Sequence, residues 1–152
     1  MFIMTDQMRY DAMGHTGGWT KTPNLDRIAT EGISFSNCVT TSPVCMPARI
    51  TMATGLYPHN TGIWDNCRYT LPIDTPTWMQ VVRDSGYRTA LIGKTHLYDH
   101  CSDWDLRDAS RLNAYGMQDV NEIGGPRASA HVQSHMTEEW NTKNIESQFS
   151  KD

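Results

Sequence analysis

Short apolar runs alternate with well-marked helix starts and stops through the first two thirds of the chain, and no other feature restricts the fold as much. Met1 to Thr5 reads as a strand. The Gly-rich stretch Gly14 to Thr20 leads to Thr22-Pro23, a capping residue followed by proline at the first helical position. Leu25, Ile28 and Ala29 then make one apolar stripe, and Gly32 supplies the stop. Ile33 to Val39 alternates apolar and polar side chains as a second strand. A helix is predicted from Pro47 to Thr54, with Gly55 as its stop, and another from Thr75-Pro76 to Gly86, with Met79 and Val82 on one face. Tyr87 to Gly93 reads as a buried strand. Strands separated by helices predict an α/β domain: a mostly parallel sheet with helices on both faces.

The chemically loaded residues sit directly after these strands. Asp6-Gln7 follow the first, the loop carrying Cys45 follows the second, and Lys94 and His96 follow the last. Ligands of open α/β sheets bind beyond the carboxyl ends of the strands, so three such clusters are expected to converge on one site.

Composition narrows the partners. The 152 residues carry a net charge of −4, with acidic and basic residues interspersed, which argues against nucleic-acid and anionic-membrane surfaces. No run reaches the roughly 18 apolar residues of a membrane span, and the start lacks the basic-then-apolar pattern of a signal peptide. The four cysteines (Cys38, Cys45, Cys67 and Cys101) form no CxxC pair and leave the compartment open. Cys38, Cys67 and Cys101 are read as small buried hydrophobes. After about Gly116 the periodicity fades and Thr137 to Asp152 is polar. Both ends read as cut, the alternative being a complete small domain with frayed ends.

Cys45 falls at or just before a helix start, with Arg49 one turn on. Helix amides and a guanidinium both favour negative charge there, so they would depress a thiol pKa or bind an anion. The string Cys45-Met46-Pro47-Ala48-Arg49, followed by Thr54-Gly55 and Tyr57-Pro58, resembles the modification motif of the sulfatase family. Thr5-Asp6-Gln7 with Asp11-Ala12-Met13-Gly14 resembles that family's opening segment, and Thr22 to Arg27 its first long helix. Gly86-Tyr87-Arg88-Thr89 through Gly93-Lys94-Thr95-His96 is similar to its second motif. The match is close over about residues 1–100 and less regular over 101–152, so residues 1–152 are read as the N-terminal part of a sulfatase catalytic domain, alkaline-phosphatase-like and incomplete.

The resemblance implies a sulfuric ester hydrolase. Its cysteine is oxidised by a formylglycine-generating maturation enzyme, and the aldehyde hydrate attacks sulfur and later expels sulfate by re-forming the aldehyde. Met46 stands where small residues are commoner. The resemblance also implies a divalent metal, calcium first and Mn2+ or Mg2+ as alternatives, with Asp6, Gln7 and Cys45 as contributors. Gln7 replaces a second Asp and brings an amide oxygen without charge. Arg49 is implied to pair with the deprotonated nucleophile. Lys94 and His96 are implied to contact the sulfate oxygens and the leaving group, and Asn66 is either a substrate contact or a turn residue.

The expected substrate is a sulfate-ester small molecule or glycan, a phosphonate or phosphate ester being the alternative at the same site. The further metal ligands and second lysine common to the family have no counterpart here, so the 152-residue chain alone is expected to be inactive. His59 reads as a structural or surface residue. His131 and His135, four apart, lack the glutamate of an HExxH pattern. Gly124-Gly125-Pro126-Arg127 is either a pocket segment or a plain turn.

Overall fold

The computed structural model describes residues 1–66, 68–100, 104–125 and 128–143. The chain divides into two compact units, Met1–Val39 and Thr40–Asp152.

In the first unit, 3-10 turns at Tyr10–Ala12 and Gly14–Thr16 precede helix α1, Pro23–Glu31. Thr22 occupies the N-cap position and proline the first helical position, as the sequence predicts. The Thr22 hydroxyl faces outward from the helix, accepting from the Gly14 amide at 2.9 Å and donating to Asp26 Oδ1 at 2.8 Å. Asp26 Oδ1 also accepts the His15 amide at 2.9 Å. Its carboxyl is held below the usual aspartate range, first by the Thr22 hydroxyl and then by His15. A Cβ on Gly14 would lie 2.5 Å from Asp26 Oδ2, so a side chain there would push the carboxylate off its partners. This is why Asp11-Ala12-Met13-Gly14 and Thr22 to Asp26 belong together.

Neither Met1–Thr5 nor Ile33–Val39 is a strand, which corrects two sequence expectations. Alternating or apolar composition makes an extended segment, but a strand also needs a neighbour for its N–H and C=O groups. Among the described residues neither segment has one. Their side chains are exposed accordingly, Phe2 at 65% and Val39 at 86%.

The second unit holds helix α2, Cys45–Thr54, the short α3, Pro58–Thr61, and α4, Trp78–Asp84. Strand β1, Ala90–Gly93, is followed by α5, Ser110–Ala114, strand β2, Asp119–Glu122, and α6, His135–Thr142. β1 and β2 pair in parallel with Ala90 opposite Asp119 and Gly93 opposite Glu122, the crossover that an α/β fold requires. The start of α4 lies two residues beyond the predicted Thr75-Pro76. Thr77 and Gln80 form a reciprocal capping box, and the Thr77 hydroxyl donates to the Tyr115 carbonyl at 2.6 Å. Two satisfied amides and a tertiary bond outweigh the proline signal.

β1 is shorter than the predicted Tyr87–Gly93 and half exposed rather than buried, with Ile92 at 86%. β2 and α6 have weak sequence signals. Asp119-Val120-Asn121-Glu122 has one apolar residue, and α6 is announced only by the box that Ser134 and Thr137 form. The core gathers Met46, Ile50 and Ala53 of α2 with Ile63, Leu71, Met79, Leu97, Tyr98, Leu106, Leu112, Tyr115 and Val132. Among the described residues no helix is long and apolar enough to cross a membrane.

Candidate active site

α2 sets the site. Met46, Pro47, Ile50 and Ala53 are its buried face, repeating at three and four residues. Met46 is fully buried, so the side chain that departs from the usual small residue is a core anchor. Cys45, the first helical residue, and Arg49, one turn later, share the neighbouring half-buried side. Val44 occupies the N-cap and provides no side-chain cap. Asn66 provides it instead: its Oδ1 accepts the Met46 amide at 2.8 Å, one residue beyond Cys45. Cys45 is not in a disulfide.

The chain leaves β1 directly into Lys94-Thr95-His96. Arg49 Nη1 donates to the Lys94 carbonyl at 2.6 Å, joining the helix of Cys45 to the end of β1 across 45 positions. The Lys94 side chain passes over Gly125, where a Cβ would sit 3.0 Å from Nζ, so a side chain there would crowd the ammonium. His96 adopts φ 55°, a left-handed backbone uncommon for any residue with a Cβ. Its Nδ1 is buried without a hydrogen-bond partner among the described residues. Burial, then the neighbouring Lys94, His100 and Arg49, push the His96 pKa down to about 4, Asp99 opposing. The imidazole is therefore neutral at pH 7.

What lies behind this loop has no signal in the sequence. Glu122 is 1% exposed, and its carboxylate accepts from the Thr95 amide, the Thr95 hydroxyl and the Tyr98 hydroxyl. His100 Nε2 lies 3.4 Å from Glu122 Oε1, and its ring is edge-on to Tyr98, which stacks on Trp104. A glutamate in a polar tetrapeptide carries no mark of burial; only the pairing of β2 with β1 encloses it.

Among the expected site residues, Cys45, Arg49, Asn66, Lys94 and His96 all belong to the second unit, linked by the Asn66–Met46 and Arg49–Lys94 bonds. Lys94 and His96 follow a strand as expected, whereas the Cys45 loop does not. Asp6 and Gln7 belong to the first unit, both exposed, with Gln7 at φ 38°. One carboxylate and one amide oxygen fall short of the six to eight oxygens of a calcium site. Among the described residues no three His, Cys, Asp or Glu side chains gather to hold a metal ion. The residues present therefore do not complete the implied metal site.

Cys38 is exposed, contrary to the expectation of burial: its segment forms no strand to cover it. Cys67, Cys101, Pro126 and Arg127 lie outside the described residues. His59 is exposed and stacks on Tyr57, as a surface histidine would. His135 opens α6 and His131 precedes it, so the two do not share a helix face. A cleft of about 370 Å3 lined by residues that include Arg107, Gln133, Ser134 and Glu138 contains none of the site residues. Arg107 is already paired there with Asp105 and Glu138.

A first helical turn, a guanidinium, an ammonium and a neutral imidazole are groups of the kind that can stabilise a tetrahedral oxyanion. The model of the sulfatase family matches residues 1–148. The chain is 42% identical over 101 residues to an ulvan-active sulfatase of Formosa agariphila, covering 66% of this chain and 20% of that protein. It is 40% identical over 106 residues to an N-acetylglucosamine-6-O-sulfatase of Bacteroides thetaiotaomicron, covering 69% and 19%. The crystal structure of yidJ from Bacteroides fragilis superimposes with a TM-score of 0.57 at 40% identity, over 60% of this chain and 22% of that one. The chain spans about a fifth of the length of the curated relatives it matches.

Proposed function

The chain belongs to the sulfatase family, and from that premise we propose that it contributes to a hydrolase of sulfuric esters whose nucleophile is a formylglycine made from Cys45. The observation that carries this reading is the 2.6 Å bond from Arg49 to the Lys94 carbonyl, which joins the modification motif to the second motif. When formed, the formylglycine hydrate supplies an oxygen nucleophile with a second hydroxyl for releasing sulfate.

The surrounding side chains divide the remaining work. The first turn of α2 and Arg49 favour the deprotonated nucleophile. Lys94 neutralises charge that builds on the transferring oxygens. His96, neutral at pH 7 with its pKa near 4, serves the leaving oxygen as a hydrogen-bond donor rather than as a store of protons. Asn66 holds the first turn in place and keeps its amide nitrogen for substrate. Asp6 and Gln7, in the first unit, would supply one carboxylate and one amide oxygen to a divalent cation, calcium first, that needs further ligands. The substrate is a sulfated small molecule or glycan.

Mass spectrometry of the tryptic peptide Ile28–Arg49 tests the proposal. Formylglycine at Cys45 lowers its mass by about 18 Da relative to the thiol, and fragment ions distinguish Cys45 from Cys38. A protein that hydrolyses sulfate esters with Cys45 wholly unmodified would overturn it.

A further inference from the structure

Glu122 is the buried member of β2, whose other residues are exposed or half-buried. Enclosing a carboxylate is unfavourable unless its oxygens receive donors, so a buried glutamate marks a place where donors need holding. The strand register puts Glu122 opposite Gly93, the last residue of β1. Its side chain therefore stands where the chain turns away toward the active-site loop. Oε1 accepts the Thr95 amide at 3.2 Å together with the Thr95 hydroxyl, and Oε2 accepts the Tyr98 hydroxyl.

Those bonds bracket His96. On the near side the Lys94 carbonyl is tied to Arg49, and on the far side the Leu97 carbonyl accepts the Leu71 amide at 3.0 Å. Residues 94, 95, 97 and 98 are each fixed by a partner distant in sequence. His96 lies between them in a left-handed conformation that its own Cβ opposes, with Nδ1 unbonded among the described residues. A strained residue persists only where its surroundings over-determine it, and here two of the four anchors, those at Thr95 and Tyr98, converge on one carboxylate.

We propose that Glu122 is a positioning residue for His96, holding the Lys94–Tyr98 loop so that the imidazole keeps its left-handed setting. The functional half of this rests on the reading of His96 as an active-site group; the conformational half does not. Glu122 is not itself in contact with substrate in this proposal.

The test uses the protein expressed from its complete gene, labelled at the histidine rings, with the His96 signal assigned by its loss in His96→Gln. Glu122→Ala should displace or broaden that signal and lower kcat on a sulfate ester about 30-fold, with KM within about twofold. Glu122→Gln keeps an oxygen for Thr95 and a group that can meet the Tyr98 hydroxyl, and should restore both towards wild type. Tyr98→Phe removes one donor, retains the ring, and should displace the signal less than Glu122→Ala. Should Glu122→Ala fail to fold, Tyr98→Phe decides: a displaced His96 signal supports the proposal and an unmoved one overturns it. A folded Glu122→Ala protein with the His96 signal in place also overturns it. An inactive wild-type protein would refute the sulfatase reading while leaving the ring signals to judge Glu122.

Discussion

The amide oxygen of Asn66 accepts the backbone N–H of Met46 at 2.8 Å and so caps a helix that begins 21 positions earlier. Helix starts leave amides unpaired, and the local capping position is Val44, which has no acceptor. The cap fixes the turn that carries Cys45. Asn66→Ala should destabilise the protein by about 1 kcal/mol, whereas Asn66→Asp should lose only a few tenths. Urea unfolding of the two variants measures the difference; equal losses would mean the oxygen is not the cap.

Arg49 donates Nη1 to the Lys94 carbonyl, and a guanidinium is a planar fork able to hold a carbonyl and an anion together. An ammonium at this position cannot fork between the two. Arg49→Lys should lower kcat/KM on a sulfate ester roughly 100-fold, with Arg49→Ala no better. Steady-state kinetics decide it, and near-wild-type turnover by the lysine variant would rule out the forked role.

His96 makes stability depend on pH in a defined direction. Its pKa falls from 6.5 to about 4 on folding, through burial first and then Lys94, His100 and Arg49. Between these values the unfolded chain binds a proton that the folded one does not, so stability falls as pH drops from about 6.5 to about 4 and changes no further below. Replacing the ring removes this contribution. His96→Gln should gain stability relative to wild type across that window, as read from unfolding free energies at successive pH values. Parallel curves for the two proteins would show that His96 titrates normally.

Sulfate and phosphonate esters place similar tetrahedral centres in one site. Lys94 and His96 both match the sulfatase pattern, so an aryl sulfate should be turned over with higher kcat/KM than the corresponding aryl phosphonate. Side-by-side kinetics with one leaving group give the ratio. A preference for phosphonate would reassign the substrate class while leaving the family unchanged.

Local signals determined α1 and the stop of α2, because a first-turn proline and a left-handed glycine act within a few residues. They also marked Cys45 and Arg49 as neighbours, since helical spacing alone puts residues four apart on one side. An apolar run marked Met1–Thr5 as a strand and alternation marked Ile33–Val39, yet among the described residues neither has a strand partner, and strand formation is a property of pairs. The converse holds for β2, whose polar tetrapeptide becomes a strand through its register with β1. What tertiary structure alone decided are the bonds from Arg49 to Lys94, from Met46 to Asn66 and from Thr95 to Glu122, spanning 45, 20 and 27 positions. No window of sequence contains both ends of such a bond, so the burial of Glu122 and the setting of His96 emerge only when the strands meet.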